Sequence, residues 1–404
     1  MAQQRQVRLE HVQGTRVLGF EGLTVGDLLA ANRLPQTLFQ AYTCRGEELT
    51  PIPLYTPLEA VPEETEIVVR AIRNTLFSTI LPNWSSRQDF EVVQGAGFAT
   101  IRTDDFGQAV EVKASVTPDQ ARGMIVDQVG RFVQEHLVNE SGCVFGLSGG
   151  GDSNALAYGL KNALPAEKLT AFTLVFRDVM PAAAADRASV LCQDLGLEHR
   201  VFTPESLEAY LGIRTSLDAL YRDFEENFGH EALHFFGTFL ILKTARRLGR
   251  EKGFRDLAFG YNREDLLAEL LFMMMNGHAP LPYPVREIGK QRIIMPVWTS
   301  PKLLLDACHP RFSIENYRER DDHTTRQRSL AFYLAHSLDS AYPSFGLSLL
   351  TGARDTLKGS FADLGYDSQS DLFITRQATP DLLSRVQQLI GRHFTDETSA
   401  KEGF

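Results

Sequence analysis

The sequence predicts an α/β protein: a doubly wound parallel sheet, with a small strand-rich unit before it and a helical region after it. Three observations carry that expectation. β-rich apolar runs at 143–147, 169–176, 199–202 and 256–259 alternate with stretches of helical periodicity. The run 169–176 is almost unbroken, as a strand buried on both faces should be. Finally, Ser148-Gly149-Gly150-Gly151-Asp152-Ser153 joins the first of these strands to a helix carrying Ala155, Leu156 and Leu160.

The chain has 404 residues, 41 of them Lys or Arg and 51 Asp or Glu. That length suits two or three domains. The divisions read from the sequence are 1–75, a connector at 76–115, the sheet at 116–300, and a mainly helical region at 301–404. The acidic balance argues against a coat of positive charge for nucleic acid, while leaving room for a local basic face. The four cysteines, Cys44, Cys143, Cys192 and Cys308, are scattered and form no C-x-x-C. A zinc ribbon is therefore not indicated, and a reducing compartment is. No long apolar span and no N-terminal apolar leader is present, so a cytoplasmic chain without a membrane partner is expected.

In chain order, 7–12 and 15–20 alternate and make a hairpin around Gln13-Gly14. Thr24 caps a short helix with Val25, Leu28 and Leu29. Strands at 38–42 and 66–72 follow, with turn-rich Cys44-Arg45-Gly46-Glu47-Glu48 between them. Hairpin, helix and closing strand resemble the β-grasp, or ubiquitin-like, fold, and 23–35 is similar to small sulfur carriers. Those carriers end in Gly-Gly, whereas this strand continues into Arg73-Asn74-Thr75. The unit reads as a docking module for a sulfur-donor protein or as a structural appendage, since fold does not settle function. Residues 82–86 read as a loop, and 99–102 with 109–113 as a small hairpin. Thr117-Pro118 opens a helix with Met124, Ile125, Val129, Phe132 and Val133 on its buried side. Helices are expected at 182–195 and through 204–250. Short turns are expected around 351–354 and 360–367, a Thr379-Pro380 cap opens a last helix through His393, and 398–404 reads as a disordered end.

The glycine turn carries the chemistry. Glycines let the backbone approach a ligand and turn its amides inward, and a helix N-terminus adds unpaired donors and partial positive charge. Ser148 and Ser153 can donate hydroxyl bonds to phosphate, and Asp152 can hold magnesium. The common G-x-x-x-x-G-K-[ST] loop is absent. The S-G-G-x-D-S pattern resembles the PP-loop ATP pyrophosphatases, an adenine nucleotide alpha hydrolase-like family. It includes NAD, GMP and asparagine synthetases, tRNA-lysidine synthases and tRNA 2-thiolation enzymes. The resemblance implies that Ser148, Gly149, Gly150, Gly151, Asp152 and Ser153 grip the pyrophosphate of ATP, with Mg2+, while a substrate oxygen attacks the α-phosphorus. The alternative is a glycine turn without a ligand.

Gly260-Tyr261-Asn262-Arg263-Glu264-Asp265 begins where the 256–259 strand stops. It is similar to a G-H-x-x-D-D-x-x-E-T segment of the tRNA-thiolating members. Gly260 and Asp265 match, and Glu264 replaces the first Asp. The resemblance implies that Glu264 and Asp265 help place magnesium or substrate near the α-phosphate, with Asp152 and Asp265 as the metal ligands; helix capping by these acids is the other reading. Tyr261 stands in place of His and Ala268 in place of Glu, with Glu269 one position off. No C-x-x-C precedes this strand, so an iron–sulfur cluster is not expected. Stretch 292–307 extends the similarity to about residue 340.

Other candidates compete with plain explanations. His230 and His234, four apart, could share a helix face as a metal pair or be ordinary helix histidines. Cys308, His309, Asp321, Asp322 and His323 invite similar readings. Lys243, Arg246, Arg247, Arg250, Lys252 and Arg255, and separately Arg318, Arg320, Arg326 and Arg328, could hold RNA phosphates or be solvated faces. The expected activity is ATP-dependent adenylation of a carbonyl oxygen on a nucleobase in tRNA, then sulfur transfer. The alternatives are adenylation of a small molecule with amide or C–N bond formation, and a nucleotide-binding scaffold without turnover.

Overall fold

The computed structural model describes residues 5–11, 14–20, 24–31, 36–46, 48–72, 97–105, 108–137, 142–177, 180–319, 325–341, 345–368, 370–375 and 378–395. The loop expected at 82–86, the cluster at 321–323, Arg320 and the end at 398–404 lie outside these residues.

The N-terminal unit is a mixed five-stranded sheet. β1 (Arg5–His11) and β2 (Gly14–Phe20) form the expected hairpin, and α1 (Val25–Ala31) follows. Thr24 caps α1: Asp27 N–H donates to Thr24 Oγ1 at 3.2 Å. β3 (Phe39–Arg45), β4 (Glu48–Ile52) and β5 (Glu66–Ala71) complete the order β2-β1-β5-β3-β4, with β1 and β5 parallel at the centre. β4 was not anticipated. The turn before it was read correctly, and Gly46 supplies its left-handed φ of 62°. Strand alternation gives the sheet two buried faces. Val7, Leu9, Phe39, Ala41, Ile67 and Val69 pack with Val25 and Leu29 of α1. Tyr42, Cys44, Leu49 and Val68 face the other way.

The connector holds a hairpin of two nine-residue strands, β6 (Gly97–Asp105) and β7 (Gln108–Val116), longer than the alternation suggested. α2 (Pro118–His136) starts as expected, with Thr117 and Gln120 forming a reciprocal cap behind Pro118.

The large sheet then winds through β8 (Cys143–Gly146), α3 (Gly151–Ala163), β9 (Leu169–Leu174), α4 (Ala182–Leu195) and β10 (Glu198–Phe202). Next come α5 (Pro204–Leu211), α6 (Leu217–Phe228), α7 (His234–Lys252), β11 (Asp256–Ala258), α8 (Arg263–Met275), β12 (Val285–Ile288) and β13 (Gln291–Ile294). The strand order is β10-β9-β8-β11-β13-β12. All pairings are parallel except β12 with β13. The α/β class and the parallel sheet are as predicted. The antiparallel edge strand β12 was not foreseen, because its two inward positions hold Arg286 and Ile288, so it carries no apolar alternation.

Beyond the sheet lie α9 (Lys302–Cys308), α10 (Pro310–Glu319), α11 (Arg326–Ala341), α12 (Phe345–Thr356), a hairpin of β14 (Leu364–Asp367) and β15 (Leu372–Thr375), and α13 (Pro380–His393). Two expectations are corrected here. Thr351-Gly352-Ala353-Arg354 is helical, because burial of Leu347, Leu350 and Ala353 on one face of α12 outweighs the weak helix preference of Gly352. The stretch 360–367, read as turns, ends in a paired strand. One apolar core runs from Val116 through the sheet to Leu350, Leu389 and Phe394, so these helices share the core of the sheet. No helix among the described residues is long and apolar enough to cross a membrane.

Candidate functional site

β8 lies between β9 and β11 in the sheet. The chain leaves it toward β9 and β10, then returns on the other side as β11. That reversal opens a crevice beyond the carboxyl ends of β8 and β11, where ligands of such sheets bind. The glycine turn follows β8, and Gly260 follows β11.

The turn is shaped by contacts only glycine permits. Gly149 has φ 69°, and a Cβ there would lie 2.4 Å from the Ala184 carbonyl oxygen. Ser153 ties the turn from within: Ser148 N–H donates to its Oγ at 3.0 Å, and that Oγ donates to the Gly150 carbonyl at 3.2 Å. The two serine hydroxyls lie 3.1 Å apart. Gly150 is the N-cap of α3 and brings no side-chain acceptor to the first turn. The first amides of a helix have no partner within it, and with the partial positive charge of the helix end they suit an anion.

Gly260 is the second wall. A Cβ on it would lie 3.0 Å from the Asp152 carbonyl carbon and 3.2 Å from Ser153 N. Asn262, fully buried, then joins the walls. Its Nδ2 donates to Asp152 Oδ1 at 3.0 Å, and its Oδ1 accepts from Asp265 N–H at 2.8 Å. The third wall is α9, after β13. Lys302, 2% exposed, donates from Nζ to Asp152 Oδ2 at 2.9 Å and to Asp306 Oδ1 at 2.8 Å. Three strand ends therefore converge on Asp152.

The structure brings Ser148, Gly149, Gly150, Gly151, Asp152, Ser153 and Gly260 to one place. Glu264 and Asp265 are nearby, with local partners. Glu264, 2% exposed, accepts from Lys302 N–H at 2.9 Å. Asp265 accepts from Asn262 N–H at 3.1 Å, closing a capping box at the start of α8.

Sequence reasoning missed Lys302, Asn262, Asp306 and Arg187. Arg187, 7% exposed, donates to the Gly149 carbonyl at 3.2 Å. Two signals were readable: Asn262-x-x-Asp265 is a capping box, and Lys302 and Asp306 are four apart after Ser300-Pro301, a strand-end break. Arg187 gives no local signal, because its partner is 38 residues away.

The glycine cap offers backbone donors that fit a polyphosphate, with Lys302 and Arg187 behind it holding Asp152 and the Gly149 carbonyl in place. Among the described residues no group of three or more His, Cys, Asp or Glu could hold a metal ion. A magnesium ion here would rest on Asp152 and the nucleotide's own phosphates, which is how magnesium is usually held with nucleotides.

Other candidates resolve differently. His230 opens a separate one-turn helix, His230–Ala232, and its Nδ1 lies 2.9 Å from Glu225 Oε1. His234 begins α7. The expected single helix across 230–234 is therefore two elements, a tight turn followed by α7. Cys308 is buried, its Sγ directed at the Leu304 carbonyl, and burial pushes the thiol up to about 12. Burial, with Arg122 adding to it, lowers His309 to about 4. Tyr261 packs under the guanidinium of Arg286, which pairs with Glu269, and burial raises its hydroxyl. The first basic run is consumed within the molecule. Lys243 bonds the Ser370 carbonyl, and Arg246 and Arg250 bond Asp371. Lys252 pairs with Glu198 and Arg255 with Glu287. Of the second group, Arg328 lies over Phe332.

A glycine-capped helix thus stands at the reversal point of a parallel sheet, backed by a second strand-end glycine. Residues 123–218, which span the turn, match the family model described as NAD synthase. No curated protein matches the chain in sequence. Among solved structures, the U34-tRNA thiolase NcsA from Methanococcus maripaludis, with its [4Fe-4S] cluster, is 19% identical, with a TM-score of 0.47, over 59% of this chain and 80% of its own. The NH3-dependent NAD synthetase from Campylobacter jejuni subsp. jejuni NCTC 11168 is 17% identical, with a TM-score of 0.34, over 69% and 95%. An NMN synthetase from Francisella tularensis is 16% identical, with a TM-score of 0.36, over 69% and 94%.

Proposed function

We propose that the protein binds ATP and catalyses adenylation, joining AMP to an acceptor oxygen and releasing pyrophosphate. The observation that carries this is the bare glycine cap of α3, set against Gly260 and held by Lys302 through Asp152. The leading amides of α3, from Gly151 to Ser153, would bind the leaving pyrophosphate and stabilise its charge. Lys302 and Asn262 orient Asp152. Magnesium, held by Asp152 with Asp265 at the edge of the site, would supply charge neutralisation at the phosphates.

Two acceptor classes follow. A nucleobase carbonyl in tRNA, with sulfur delivered afterwards, is supported by the Gly260–Asp265 motif and by the N-terminal sheet, whose strand order supports the β-grasp reading. A small molecule, ending in amide or C–N bond formation, is favoured by the internal pairing of Lys243, Arg246, Arg250, Lys252 and Arg255. Those charges are largely spent within the molecule and offer little to RNA.

The test is production of AMP and pyrophosphate from Mg·ATP with tRNA, and with carboxylates plus ammonia. Asp152→Ala should abolish it. ATP binding without AMP from any acceptor would instead mark a scaffold.

A further inference from the structure

α10 is loaded on two sides. Ile314, 7% exposed, is buried in the cluster of Tyr42, Cys44, Leu49 and Val68 on the N-terminal sheet. On the neighbouring side, Ser313 and Asn316, three apart and so on one face, press on the glycine turn. A Cβ on Gly150 would lie 3.0 Å from Asn316 Nδ2, and one on Gly151 would lie 2.7 Å from Ser313 Oγ. Arg187, which bonds the Gly149 carbonyl, also reaches Asn316 Oδ1 at 3.5 Å. The N-terminal unit is anchored a second time where Thr37 Oγ1 donates to the His336 carbonyl of α11. One helix therefore separates the N-terminal sheet from the turn, and it touches both.

We propose that α10 is a positioning element, in which the seating of Ile314 on the N-terminal sheet sets where Ser313 and Asn316 hold the pyrophosphate turn. The N-terminal unit is then a built-in part of the nucleotide site. Its Tyr42–Val68 face is closed by its own chain, so a sulfur-donor protein would have to use another surface. This inference rests on the nucleotide reading of the turn. It differs from a purely structural role because it acts on the phosphate end of the ligand and not on the adenine end.

The test is calorimetric binding of Mg·ATP, Mg·pyrophosphate and adenosine to the full chain. Asn316→Ala and Ile314→Ala should each weaken ATP and pyrophosphate about tenfold, the scale of one displaced hydrogen bond, with adenosine unchanged. Ile314→Val should restore near-normal binding. Leu29→Ala, in α1 where it packs on the opposite face of the same sheet, should lower the melting temperature and leave pyrophosphate affinity alone. Unchanged pyrophosphate affinity in Asn316→Ala and Ile314→Ala, or an equal loss of adenosine, would overturn the proposal. A wild-type chain that binds neither ATP nor pyrophosphate would overturn the nucleotide reading itself. Asn316, half-buried, keeps the test open if Ile314→Ala fails to fold.

Discussion

Lys302 holds two carboxylates together from inside the protein. Its ammonium, on a side chain 3% exposed, meets Asp152 and Asp306. Replacing it with Met leaves two like charges close together in a poorly solvated place. Breaking a buried pair this way costs about 3–5 kcal/mol, and the partial exposure of Asp152 puts the expected loss near the lower end. Lys302→Met should lower stability in urea unfolding and abolish Mg·ATP binding; a variant as stable as wild type would show that the charge contributes nothing. Gly260 invites a second substitution. Gly260→Ala places a methyl 3.0 Å from the Asp152 carbonyl carbon, which is backbone and cannot swing aside. The two loops must part, at a cost of about 1–3 kcal/mol, and Mg·ATP affinity should fall well beyond that of a Gly352→Ala control, a helical position whose Cβ meets nothing. The motif glycines and Asp152 were legible because the chemistry lies in consecutive residues. Lys302 was not, because what makes it important is a partner 150 positions earlier.

Among the elements, those with a signal at both ends were readable from the sequence. α13 begins at Thr379-Pro380 and ends at His393 as expected, and α4 matches its expected span. β4 and β14 are short strands whose partners, not their composition, make them strands. The basic run of α7 shows the same limit. Its charges look solvated along the sequence, yet Lys243, Arg246 and Arg250 grip the β14–β15 turn. Burial alone would raise the Asp371 carboxyl; Arg246, Arg250 and Lys243 outweigh it and hold it below its usual range. The stabilisation is therefore complete above the unfolded carboxylate value of about 4 and is lost as pH falls through the lower folded value. Asp371→Asn tolerates the same left-handed φ of 55° and removes only the charge. It should cost about 1–2 kcal/mol at pH 7, and the gap from wild type should close in strongly acid solution. Urea unfolding across pH measures this, and a gap that stayed constant would refute the ion pair.

At the scale of the molecule, strand order creates the crevice, three strand ends line it, and the N-terminal sheet closes on α10 behind it. Alternation of strands and helices made the α/β class legible. Nothing in one stretch could show that α10 packs between the sheet of residues 5–71 and the turn at 148–153, since that is a property of the assembled chain. The central claim is that this turn receives the tail of ATP. A crystal structure with magnesium and α,β-methylene-ATP tests it most directly. The β- and γ-phosphate oxygens should lie within about 2.7–3.2 Å of the leading amides of α3, with the metal against Asp152. A nucleotide bound elsewhere, or a turn whose amides point away from it, would rule out this role for the turn.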